Sequence, residues 1–292
     1  PSDIDLALVS SIGHFTIESV EEAHFLAQKA QEEAKHVPVF LRLNPDVNAG
    51  THPKITTGQS SSKFGLSFEE IVSLTSHWSP FLDLKGLALH IGSQIFSLAP
   101  YEKAYGKLKE LLSVLHAQGH KLTKINIGGG YGVEMKESLP TKPLSFDFQG
   151  LKALIESTFA DFEGQIILEP GRSLVANAGV LLSQVLYRKK TGSKTLLIID
   201  AGMNDFMRPA LYDAYHPLIP LSAAAPLEEV EVVGPICESS DCFSKQLWLP
   251  ALQKGDFLAI TYTGAYGASL SNTYNSRPLI AEVLVTGRES KI

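Results

Sequence analysis

Both cysteines of this chain, Cys237 and Cys242, fall in the stretch GPICESSDCFSK, residues 234–245. Two thiols in 292 residues cannot make a disulfide framework. A structural zinc site takes four ligands, usually in closely spaced pairs, and here a single C-x4-C stands with no histidine after His216. That leaves two small packing residues or a thiol that does chemistry, and the neighbours must separate the two.

Three further stretches carry groups suited to chemistry: HIGSQ with His90 and Ser93, IGGGYG with Gly128, Gly129 and Gly130, and EPGR with Glu169, Gly171 and Arg172. Three glycines directly behind an apolar run let bare backbone N–H groups approach and cradle an anion. The plainer reading is a tight turn that needs positive φ. The pattern is neither G-x-G-x-x-G nor a P-loop, so a phosphate monoester suits it better than a dinucleotide. A carboxylate at Glu169, at the end of a strand, can keep a pyridine nitrogen protonated and so let the ring act as an electron sink. Arg172 can grip a substrate carboxylate with two parallel hydrogen bonds. An ordinary ion pair at a helix end explains either residue equally well in isolation.

These groups follow apolar runs that read as strands: residues 37–45, 84–92, 124–132 and 165–171. Each run is too uniformly apolar for a half-exposed strand and suits a parallel sheet buried on both faces. Between them lie amphipathic stretches such as Tyr101, Ala104, Tyr105, Leu108, Leu111, Leu112 and Leu115. Repeated βα units predict an α/β domain of the (β/α)8 barrel type, in which strand carboxyl ends carry the site. After residue 175 the pattern changes to short strand-like runs at 180–190, 194–202, 228–236, 245–250, 256–264 and 277–285, without helical spacers of similar length. The expected domains are thus a barrel over 1–175 and a β domain over 176–292.

With 44% hydrophobic residues and a net charge of −6, the chain has material for a large core and no basic footprint for nucleic acid or anionic lipid. No apolar run approaches the roughly 20 residues that span a bilayer, and the first residues lack a signal-peptide pattern. The expected setting is the cytoplasm, or a plastid if the source is a plant.

Taken in order, HIGSQ, INIGGGYG, EPGRSLVANAG, MRPALYDAYH, GPICESSD and GAYGASLSNTYNSRP resemble the diaminopimelate decarboxylase family, in the fold group of alanine racemase and ornithine decarboxylase. LRLNPDVNAGTHPKITTGQSSSKFG is similar too, so the likeness runs over nearly the whole chain. The resemblance implies a pyridoxal phosphate enzyme with a barrel followed by a β domain, working as a homodimer with shared sites and turning meso-diaminopimelate into L-lysine and CO2. By this likeness His90 stacks on the cofactor ring, and Ser93, Gly129, Gly130 and the Gly171–Arg172 backbone hold its phosphate. Glu169 pairs with the pyridine nitrogen. Arg172, Arg208 and Tyr212 bind substrate carboxylate, and Tyr266 touches cofactor and substrate. Cys237 and Glu238 reach in from the partner subunit, the thiol as proton donor and the carboxylate as reader of the distal amine. An ordinary thiol, with a pKa of about 8.5, is mostly protonated at neutral pH and can serve. Cys242 is read as a packing residue.

Two alternatives within that likeness are a decarboxylase of another basic amino acid or carboxylated polyamine, and a non-catalytic relative acting as a regulator. The family's cofactor lysine, in a Tyr-Ala-x-Lys-Ala motif, has no counterpart here, which leads to the expectation that the chain starts inside the barrel. Lys63, in SSKFG, does not end a strand and is not assigned that role. The eight histidines other than His90 show no metal-ligand spacing and are read as surface or core filler. Residues 51–65 are polar enough to form a lid.

Overall fold

The computed structural model describes residues 2–10, 12–50, 57–59, 62–136, 146–221 and 226–291. Residues 51–56, 60 and 61 of the expected lid lie outside them. The chain divides into two compact units, one of Pro1–Gly132 with Ser145–Gly171 and one of Val133–Leu144 with Arg172–Ile292.

The first unit runs α1 (Ser2–Val9), β1 (Phe15–Ile17), α2 (Val20–Glu32), β2 (Val37–Leu43), α3 (Phe68–Thr75), β3 (Leu82–Leu89), α4 (Ala99–Ala117), β4 (Lys124–Asn126), α5 (Phe148–Thr158) and β5 (Gln165–Ile167). Its five strands lie in the order β1-β2-β3-β4-β5, every pair parallel. Strands neighbouring in sequence are neighbours in space, with no reversal of order, which is the pattern of a (β/α)8 barrel rather than a doubly wound sheet. β2 has the burial expected of a strand covered on both faces, with Val37, Val39, Phe40, Leu41 and Leu43 all buried. β1, missed in the sequence, spans only three residues.

Local signals start the helices. Ser19 caps α2 by accepting the N–H of Glu22 at 3.1 Å, and Ser67 and Glu70 close a reciprocal capping box on α3. α4 buries Tyr101, Ala104, Tyr105, Leu108, Leu111 and Leu115, a single stripe at spacings of three and four.

The second unit holds α6 (Arg172–Val175), β6 (Val180–Thr191), β7 (Lys194–Ile199), α7 (Arg208–Tyr212), β8 (Leu218–Pro220), β9 (Leu227–Val233), β10 (Cys242–Pro250), β11 (Phe257–Thr261), α8 (Gly267–Leu270), β12 (Leu284–Thr286) and β13 (Glu289–Lys291). Six strands form one mixed sheet, β10-β9-β7-β6-β11-β8, antiparallel except where β7 meets β9. Its core gathers Val185, Ile199, Phe206, Val232, Leu258 and Ile260. Residues 277–285, read from sequence as one strand, contribute only β12, paired to β13 in a hairpin around Gly287 at φ 63°. Pro278 has no N–H to give a ladder, which removes the start of that run from any sheet.

Among the described residues no helix is long and apolar enough to cross a membrane. Leu108→Ala in the fully buried α4 stripe is expected to cost about 3 kcal/mol, seen as a lower urea midpoint, while Lys109→Ala on the exposed face leaves the midpoint unchanged.

Candidate active site

The carboxyl ends of β3, β4 and β5 are packed backbone on backbone. A Cβ at Gly128 would lie 2.4 Å from the Leu89 carbonyl oxygen, one at Gly129 2.0 Å from that of Glu169, and one at Gly130 2.2 Å from that of Gly92. Gly128 and Gly130 also have φ of 69° and 93°, a region that other residues enter at a cost. The glycine run is therefore required by the approach of three strand ends as well as by its turn. That approach gathers His90, behind β3, and Glu169, behind β5, around the loop that follows β4.

Hydrogen bonds fix the gathered groups. Asn126, the last residue of β4, donates from Nδ2 to Glu169 Oε1 at 2.7 Å and accepts the Gly128 N–H at Oδ1 at 2.9 Å. The Glu169 N–H donates to the Gly128 carbonyl at 2.7 Å. Gly129 N–H faces His90 Nδ1 at 3.4 Å. From beneath, the buried Tyr101 hydroxyl donates to the Gly129 carbonyl at 3.1 Å and Tyr131 to that of Gly128 at 3.4 Å. With the loop carbonyls turned inward, the Gly130 N–H is left without a backbone partner among the described residues. Burial and the nearby Arg42 charge hold the His90 imidazole below its ordinary pKa, with Glu169 opposing them more weakly. His90 is thus a flat, neutral ring. Ser93, half-buried, lies in the loop that continues from it.

The second unit collects the remaining sequence-predicted groups. Arg172 opens α6 and Arg208 opens α7, and both are 6% exposed. The Tyr266 ring lies under both guanidiniums, 4.9 Å from Arg172 and 5.6 Å from Arg208, while Tyr212 sits 5.5 Å from Arg208. Tyr266 takes a left-handed backbone, φ 63°, a conformation costly for an aromatic residue and common where a site imposes its geometry. Burial, then the charge of Arg172, pushes Arg208 down to about 10. His216, 1% exposed, stands against Arg208 with 3.3 Å between Arg208 Nε and His216 Nε2.

Cys237 and Glu238 are exposed on the loop between β9 and β10. Asp241 anchors that loop: its carboxylate accepts the Ile236 N–H at 2.6 Å and the Met203 N–H at 2.7 Å, and its carbonyl accepts the Gly234 N–H at 3.0 Å. Glu238 accepts from Ser240 at 3.1 Å and from the Tyr274 hydroxyl. Cys242 is in β10, its Sγ 3.9 Å from Glu231, and burial raises its pKa. Lys63 is exposed, its Nζ 5.2 Å from the Phe64 ring centre. Asn126, Tyr101, Asp241, Tyr274 and His216 all touch predicted site residues and were not singled out by sequence. Asp241, Tyr274 and His216 lie inside the quoted motifs; Tyr101 belonged to a stripe read only as core.

Residues 1–176 match the pyridoxal binding domain of the pyridoxal-dependent decarboxylases. The chain is 42% identical to the diaminopimelate decarboxylase of Zymomonas mobilis over 98% of its own length and 68% of that protein's. It is 40% identical to the one from Vibrio cholerae, covering 99% and 69%. A crystal structure of diaminopimelate decarboxylase from Helicobacter pylori complexed with L-lysine superposes with a TM-score of 0.90 at 37% identity, covering 99% of this chain and 71% of that one. The chain thus spans about 70% of the length of these relatives.

Tyr101→Phe removes one of the bonds that turn the glycine loop, and pyridoxal phosphate affinity is expected to fall about threefold to tenfold with the fold retained. Absorbance titration with the cofactor checks this.

Proposed function

The chain belongs to the pyridoxal-dependent decarboxylases, within the diaminopimelate decarboxylase family, and on that premise we infer the residue roles that follow. Its reaction is the decarboxylation of meso-diaminopimelate to L-lysine and CO2, a step of lysine biosynthesis, with pyridoxal phosphate as cofactor. The observation that carries this reading is identity at 42% sustained over nearly the whole chain.

The residues present fit the cofactor. The Gly130 N–H has no backbone partner among the described residues, His90 offers a neutral face, and Asn126 engages one oxygen of Glu169. Ser93, Gly129, Gly130, Gly171 and the Arg172 backbone hold the phosphate in this reading. When bound, the cofactor supplies a ring that takes up the electron pair released as CO2 leaves.

The chain's own residues do the rest. Arg208 and Arg172 bind substrate carboxylate, and Tyr212 and Tyr266 flank the guanidiniums with aromatic faces that limit their swing. A carboxylate that meets the buried Arg208 guanidinium is little screened by water, which favours a substrate that carries one over an analogue without it. Cys237 Sγ gives its proton to the carbon that lost the carboxylate. Glu238, steadied by Ser240 and Tyr274, accepts from the distal ammonium. Two copies pair, and the exposed Cys237 and Glu238 of each serve the other's site.

Protein expressed with its native upstream sequence and supplied with pyridoxal phosphate is expected to release CO2 from meso-diaminopimelate and not from ornithine; release from ornithine alone would refute the substrate assignment. Cys237→Ala is expected to lower kcat by about a hundredfold or more while the cofactor absorbance stays, and unchanged turnover would end the proton-donor role. Mixing Arg208→Met with Cys237→Ala protein restores activity in hybrid dimers if sites are shared, and restores none if each copy works alone.

A further inference from the structure

His216 is more than a space filler beneath Arg208. Its Nδ1 lies 3.0 Å from the Thr261 carbonyl oxygen. A carbonyl only accepts, so Nδ1 must carry the hydrogen. The Thr261 carbonyl is itself fixed, because Thr261 donates from its N–H at 3.0 Å and its hydroxyl at 3.3 Å to the Pro217 carbonyl. The buried Phe206 ring meets the imidazole edge to face at 4.6 Å and 87°, which blocks rotation. Burial, with Arg208 and Arg172 adding to it, holds the imidazole pKa down to about 4 despite the Thr261 bond, so the ring is neutral near neutral pH. A neutral ring protonated at Nδ1 has a lone pair at Nε2, and Arg208 Nε is the donor that faces it at 3.3 Å.

The chain path makes this pairing local. α7 ends at Asp213, whose left-handed backbone, φ 50°, turns the chain so that His216 comes back under the helix's first residue. Arg208 is thereby held at Nε from one side, with Tyr212 and Tyr266 against its guanidinium. The two terminal nitrogens, Nη1 and Nη2, are the pair that matches the spacing of a carboxylate.

We propose that His216 is a positioning residue for substrate: as a tautomer-locked acceptor it engages Arg208 Nε and aims the Nη1–Nη2 edge at the substrate carboxylate. This rests on the reading of Arg208 as a carboxylate ligand. An acceptor is needed there, since a lysine or arginine partner would repel the cation and a carboxylate would neutralise it and compete with substrate.

The test compares His216→Asn, whose amide reaches only as far as Nδ1 and so keeps the Thr261 partner, with His216→Gln, whose tip reaches the Nε2 position. With cofactor bound, His216→Asn is expected to raise KM for meso-diaminopimelate about tenfold with kcat within about threefold of the parent, and His216→Gln to recover most of the loss. Thermal melting and cofactor absorbance identify variants that keep the fold, and lysine binding by calorimetry should weaken in parallel with KM. Independently of activity, nitrogen NMR of the parent should show His216 protonated at Nδ1 and bare at Nε2. A proton on Nε2, equal KM changes in the Asn and Gln variants, or an unchanged KM in His216→Asn while Arg208→Met raises it, would each overturn the proposal. An unchanged KM in Arg208→Met would overturn the carboxylate reading beneath it.

Discussion

At the ends of β3, β4 and β5 three stretches of backbone lie so close that one methyl group at Gly128, Gly129 or Gly130 would overlap a carbonyl of its neighbour. Side chains cannot be tolerated in that layer, and what remains is a surface of peptide groups. His90 and Glu169 stand on the flanking strand ends against this glycine layer, His90 Nδ1 facing the Gly129 N–H and the Glu169 carboxylate held by Asn126. The loop's carbonyls are taken from below by Tyr101 and Tyr131. Of the three glycine N–H groups, those of Gly128 and Gly129 are taken by Asn126 and His90, and that of Gly130 has no backbone partner among the described residues.

A different physical rule governs the second unit. Arg172 and Arg208 are both buried, and like charges brought together out of water destabilise each other. Among the described residues, the Tyr266 ring lies against both guanidiniums, and Arg208 also meets the Tyr212 ring and a neutral imidazole. Aromatic faces ease the burial of a guanidinium without neutralising it. Tyr266, in a left-handed backbone, places its ring against both arginines.

The thiol loop combines a rigid base with an exposed tip. Asp241 draws in the N–H groups of Ile236 and Met203, and Gly234 leaves room for its carboxylate, whose oxygens would lie 2.3 and 2.5 Å from a Cβ there. Cys237 is presented to solvent just beyond that anchor. Exposure on a fixed loop fits the proposed reach of Cys237 into a second copy's site, since a mobile loop would lose entropy on pairing.

Much of this was legible in the sequence because its causes are local. The apolar runs at 37–45 and 84–92 gave β2 and β3, the three-four spacing from Tyr101 to Leu115 gave α4, and the glycine run marked the tight turn behind β4. Recognition of the motifs then named the fold, the cofactor and the reaction. The short strands β1, β8 and β13 were not read from the sequence, nor was the loss of residues 277–283 from the strand pattern. Long-range pairing also stayed hidden: nothing in the one-dimensional order says that Tyr101 supports Gly129, that Asp241 reaches back to Met203, or that His216 faces Arg208. Residue types and local periods are set by bonding within a few positions of the chain. Which side chain meets which across a fold depends on strand order and loop closure, and these exist only once the sheets have formed.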